Sequence, residues 1–122
     1  MGNLEHLIAL APKGIWDGVS ARVVEGERIT MAIVELEPGA VAPEHQHDNE
    51  QLGLVIQGSV RFSVGSETRE LGPGGTWRIF GGTPHHVLAG EQGAVVVDVF
   101  SPIRSDWEQV EAAPAAHPRW PG

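Results

Sequence analysis

The 122-residue chain contains no cysteine. It therefore has neither a disulfide framework nor a thiolate metal site, and any metal must be bound by imidazole, carboxylate, amide or water. Basic residues are scarce: 8 Lys and Arg stand against 16 Asp and Glu, giving a formal net charge of −8 and a pI near 5.1. That balance argues against nucleic-acid phosphates and anionic membrane surfaces as partners. No apolar run is long enough to span a bilayer, and the start Met1-Gly2-Asn3-Leu4-Glu5 lacks the positive segment of an export signal. The expected location is the cytoplasm. No internal repeat is visible, and a chain of this length fits one domain around one core.

What is present is turn-forming residues, with 16 glycines and nine prolines between short β-branched stretches. This composition predicts an all-β fold, a sandwich or a jelly-roll barrel. The expected strands are Val19–Val24, Arg28–Leu36, Val41–His47, Gln51–Ile56, Val60–Val64, Thr68–Leu71, Thr76–Phe80, His85–Leu88 and Ala94–Phe100. Residues 3–11 read as a further short strand or edge segment, which Pro12-Lys13-Gly14 would break. Asp106–Glu111 reads as one helical turn. The barrel domain is expected to take residues 1–111, and the Pro/Ala-rich tail 112–122 to be mobile or to pack on a neighbouring subunit.

His45 and His47 are two residues apart, so on an extended strand both imidazoles point to one face and form a chelating pair. Gln51 shares their parity, although the Asp48-Asn49 stretch could shift the register. His85 follows a Gly-Gly-Thr-Pro turn that could return it across a barrel to meet the pair. The metal ligands are thus expected to be His45, His47, Gln51 and His85, holding a divalent transition metal: zinc, nickel, iron, cobalt or manganese. Glu50 and His86 have the wrong parity and are read as pointing outwards; His6 and His117 are read as solvated.

On the last strand, Asp98 shares a face with Ala94, Val96 and Phe100. A carboxylate there is costly unless paired or facing a ligand, and burial would raise its pKa into a range useful for proton transfer. Arg104 follows closely enough to fold over the same opening and is suited to gripping a carboxylate, with an ordinary surface arginine as the alternative. The indoles Trp16, Trp77, Trp107 and Trp120 read as core or interface residues.

Two spaced blocks, Gly39 through His45, His47 and Gln51 to Gly58, and Gly74 through Phe80 and Gly82 to His85, resemble the two motifs of the cupin superfamily. The resemblance implies a double-stranded β-helix barrel with the metal inside. Two positions depart from the pattern: Gln51 stands where cupins usually carry glutamate, and Phe80 where the second motif usually carries proline. The amide removes one negative charge from the metal's surroundings and favours Lewis-acid work on an anionic ligand.

A closer resemblance, over roughly residues 15–107, is to the small cupins of pectin degradation, the KdgF family, in which the glutamine is usual. It is carried by Glu44-His45-Gln46-His47, Glu50-Gln51-Leu52-Gly53, Gly81-Gly82-Thr83-Pro84-His85 and Asp98-Val99-Phe100-Ser101-Pro102 with Arg104. It implies ring opening and ketonisation of 4,5-unsaturated uronates from pectin or alginate to linear keto sugars. Asp98 would serve as acid/base, Arg104 would hold the substrate carboxylate, and Phe100 would pack on the sugar ring. Alternatives are a metal-dependent dioxygenase of the same superfamily and a non-catalytic sugar- or metal-binding cupin. The expected partners are a small anionic sugar and a second copy of the chain in a homodimer.

Overall fold

The structure, a computed structural model, describes residues 2–122. Eight strands carry the fold: β1 (Lys13–Trp16), β2 (Val19–Glu25), β3 (Thr30–Leu36), β4 (Val41–His45), β5 (Glu50–Val64), β6 (Glu67–Leu71), β7 (Thr76–Ile79) and β8 (His85–Ser101). They pair antiparallel in the order β1-β2-β3-β8-β5-β6, with β4 added on β8 and β7 on β5. The only helical elements among the described residues are two 3-10 turns, Leu7–Ala9 and Ser105–Gln109. This is the all-β jelly-roll barrel expected of a cupin.

The two long strands close the barrel. The second half of β8 lies between β3 and the first half of β5, while its first half lies between β4 and the second half of β5. Each strand therefore contributes to both walls, and the ladder changes register at Val55/Gln57 and Gly58/Val60, where it bends. Gly58 has φ of 77°, and a Cβ there would collide with the Gly93 carbonyl oxygen, so glycine is required at this crossing. The breaks expected at Gln57-Gly58-Ser59 and at residues 89–93 are thus bulged bends inside continuous strands. Glycine signalled a change of direction, and the ladder continued through it.

Inward positions form one core that includes Ala21, Ala32, Val34, Val55, Val60 and Val96. Two expectations near the N-terminus fail. Residues 3–11 form no strand, because His6 accepts a hydrogen bond from the Ile8 amide and nucleates the 3-10 turn. Conversely, Lys13-Gly14 begins β1, which gains partners on both sides, from β2 and from an isolated bridge to Ala112. The C-terminal tail lies on its own barrel. Arg119 donates to Glu35, to the Leu36 carbonyl at 2.7 Å and to the Ala94 carbonyl at 3.0 Å, while the buried Arg22 joins Glu35 to the Ala116 carbonyl. Free backbone acceptors and Glu35 hold the tail on the outside of β2 and β3. No helix among the described residues is long and apolar enough to cross a membrane.

Candidate metal centre and active site

His45 closes β4 and His85 opens β8, and the two are direct cross-strand partners. Their rings lie 4.2 Å apart; the His47 ring is 4.9 Å from that of His85 and 5.8 Å from that of His45. One nitrogen from each falls within 4.8 Å of the other two. Each Nδ1 sits against a backbone carbonyl two residues away: His45 on Pro43 at 2.7 Å, His47 on Asn49 at 3.0 Å and His85 on Thr83 at 2.8 Å. With the Nδ1 proton committed to these carbonyls, each Nε2 carries a lone pair aimed inwards. Burial is the largest cause lowering all three pKa values, with the Arg104 charge adding to it, and His85 falls to about 4. The rings are accordingly neutral at pH 7.

The donor set fits a cation. The His85 Nε2 is buried with no hydrogen-bond partner. The His47 Nε2 faces the Gln51 Oε1 at 3.1 Å, and with the proton on Nδ1 both atoms present lone pairs to one another. A cation accepting both lone pairs resolves that contact, which a neutral histidine cannot do while also donating to Asn49. Gln51 is 6% exposed and turned inwards, whereas Glu50 is exposed. The site thus brings together His45, His47, His85 and Gln51, with oxygen and nitrogen donors suited to several first-row ions.

Gln51 also faces a second group. Its Nε2 donates to Asp98 Oδ1 at 2.8 Å, which fixes the amide with oxygen towards the histidines and nitrogen towards the carboxylate. A glutamate at 51 would place a second carboxylate oxygen against Asp98, so the amide at this position follows from the buried aspartate beside it. Asp98 is 8% exposed and accepts a second bond on the same oxygen, from Trp77 Nε1 at 2.7 Å. Burial lifts its pKa to about 6, against the opposing pull of the Gln51 and Trp77 hydrogen bonds and the Arg104 charge. It shares a cavity with His45, His85, Gln51, Phe100 and Arg104.

Arg104 is 7% exposed, and its guanidinium lies over the edge-to-face pair of Phe100 and Trp107, 4.6 Å and 4.3 Å from the two ring centres. The Nε/Nη2 edge is already engaged by Asp106, at 3.0 and 2.9 Å. The expected grip on a ligand is therefore narrowed to the Nη1 side. Phe100 is buried with its ring 5.7 Å from that of His47, and forms an apolar wall of the cavity.

Trp77 and Trp107 lie in the core and Trp16 packs against it, as the sequence suggests, and all three also line this cavity. Trp16 lies 4.7 Å from His45, and Trp77 is a hydrogen-bond donor to Asp98. The signal for Trp77 is chemical: a buried indole needs an acceptor for its N–H, and Asp98 is the carboxylate that the sequence places on an inward face. Asp106 is not legible in the sequence, because nothing in a short polar run marks a partner two residues away. His6 and His117 are exposed and distant from the cluster in the chain.

Residues 32–100, more than half of the chain, match the cupin domain family. Among curated proteins, the pectin degradation protein KdgF of Dickeya dadantii is 30% identical over 93 residues, covering 75% of this chain and 84% of that protein. Among solved structures, KdgF from Halomonas superposes with a TM-score of 0.79 at 29% identity, covering 87% of this chain and 98% of that one. An RmlC-like cupin from Shewanella frigidimarina has a TM-score of 0.81 at 19% identity, over 87% and 96% of the two chains, and speaks to the fold alone. The chain belongs to the cupin family, as a small single-barrel member related to the KdgF pectin degradation proteins.

Proposed function

We propose that the protein is a metal-dependent isomerase that opens and ketonises 4,5-unsaturated uronates left by pectin or alginate cleavage. The observation that carries this reading is a buried carboxyl, Asp98, hydrogen-bonded to the same glutamine that faces the histidine cluster. Relatedness to KdgF supplies the substrate class. His45, His47, His85 and Gln51 would hold the metal, which when bound supplies electrophilic stabilisation of negative charge on a substrate oxygen.

The chain's own residues carry the remaining steps. The reaction breaks C1–O5, turns the C1 hydroxyl into an aldehyde with loss of its proton, and leaves an enol at C4=C5 that takes a proton at C4 to become a C5 ketone. It is an isomerisation and needs no oxidant. Asp98, with a pKa near 6, is poised both to accept and to return a proton near neutral pH. Arg104 offers its Nη1 side to the substrate carboxylate, and Phe100 supplies an apolar wall for the ring. Loss of the unsaturated-uronate absorbance on adding metal-loaded protein, faster than spontaneous decay, is the expected result. No acceleration by fully loaded protein would refute it and would favour a binding module or an oxidative cupin.

A homodimer is part of the same proposal. Met31, Val99 and Leu52 form one cross-strand row on the outside of β3, β8 and β5, and Ile33, Val97 and Leu54 the next. Met31, Leu52 and Leu54 are 38%, 48% and 40% exposed, an apolar patch suited to a second copy. Elution at about twice 13.0 kDa supports the dimer, and elution as a single chain contradicts it.

A further inference from the structure

Asp98 and Trp77 stand on strands that do not pair with one another. Between β8 and β7 runs β5, and one of its residues, Gly53, is the direct partner of Asp98 on one side and of Trp77 on the other. The indole crosses above this glycine to reach the carboxylate. A Cβ at residue 53 would collide with Trp77 Nε1 and with the Val97 carbonyl oxygen, so a side chain there would close the passage. Two residues earlier on the same face of β5, Gln51 sends its own N–H to Asp98.

Both donors converge on one oxygen. Trp77 Nε1 lies 2.7 Å and Gln51 Nε2 2.8 Å from Oδ1, and among the described residues no donor reaches Oδ2. The indole is itself held by packing on Phe62, with ring centroids 4.5 Å apart. Two charge-assisted hydrogen bonds on a single oxygen fix the rotation of a carboxyl group and differentiate its two oxygens.

We infer that Trp77 is a positioning residue for Asp98: passing over Gly53, it pins Oδ1 together with Gln51 and leaves Oδ2 as the oxygen that exchanges the proton with the ligand. The role rests on the isomerase reading for its chemistry, but the contact itself is testable without turnover. Trp77 makes its side-chain hydrogen bond to Asp98 and none to the proposed metal ligands, so its effect should fall on the rate of the folded, loaded protein.

Trp77→Phe keeps an aromatic ring against Phe62 and removes the N–H donor together with part of the indole's volume. In the zinc-loaded protein it should lower kcat for unsaturated uronates by about 10- to 100-fold, the loss of one hydrogen bond to a charged group, with KM within about twofold. Bound zinc should be unchanged. A purely structural tryptophan would instead lower the melting temperature and leave the kcat of the folded protein alone. Independently of activity, the assigned Trp77 indole resonance of the zinc-loaded protein should move on Asp98→Asn, while those of Trp107 and Trp120 stay in place. A wild-type kcat in Trp77→Phe, or a Trp77 indole resonance indifferent to Asp98→Asn, overturns the inference. If the wild type has no uronate activity, the isomerase reading fails by itself and the indole resonance alone decides the positioning role. That second measurement also decides it if Trp77→Phe does not fold.

Discussion

The three histidines take their orientation from backbone carbonyls two residues away, whereas Asp98 takes its own from side chains 21 and 47 residues distant on two other strands. The first arrangement is local: wherever the HxH segment and the turn before His85 form, the imidazoles face inwards. The second depends on the whole barrel, since Trp77, Gly53 and Asp98 align only when β7, β5 and β8 are in register. The histidine half is thus equipped to bind and the carboxylate half to be tuned. Gln51 is the one residue shared by both.

Separating the halves by mutation is the strongest way to break this comparison. His85→Ala should weaken metal binding by more than the roughly 10- to 100-fold that loss of an outer partner costs, read by competition with a chelator. Asp98→Asn should leave metal content intact, because an amide oxygen still accepts from Gln51 and Trp77, and should lower turnover by about 100-fold or more. Equal damage to metal binding in both variants would show that the halves are not distinct.

Acidification should also act on the halves with opposite sign. His45, His47 and His85 have folded pKa values below 6.5, so the unfolded chain binds protons that the fold refuses, and metal-free stability should fall as the pH drops from 6.5 towards 4. Asp98 is raised from 3.8 to about 6, so the fold takes its proton first and this group's contribution rises over the same window. Melting curves of the metal-free protein should therefore decline less steeply with acid in His85→Ala and more steeply in Asp98→Asn. The smallest effect belongs to the rim. Asp106 is 63% exposed, so Asp106→Asn should cost less than about 1 kcal/mol of stability and alter KM only modestly, in contrast to Arg104→Ala.

This difference in construction also explains what the sequence made legible. The histidine spacing, the parity of Gln51 and the inward face of Asp98 follow from strand periodicity, and each can be read within a few residues. The alternation of Ala94, Val96, Asp98 and Phe100 against Val95, Val97 and Val99 survives in the fold, although Val95 is buried too. The Trp77–Asp98 bond, the Arg104–Asp106 pair and the tail's anchorage by Arg119 are not periodic. They arise from which strands become neighbours and from which polar atoms would otherwise be left without partners. Glycine is ambiguous in one respect: Gln57-Gly58-Ser59 reads as the end of a strand, whereas in the barrel Gly58, set against Gly93, lets two strands cross closely and continue.

The most direct measurement is the decay of the absorbance of a lyase-generated 4,5-unsaturated uronate with wild-type and Asp98→Asn proteins carrying equal bound metal. Rapid loss with the wild type and only spontaneous loss with the variant is the expected result. Equal rates for the two proteins, or no acceleration by either, would contradict the division of a binding half from a proton-transferring half.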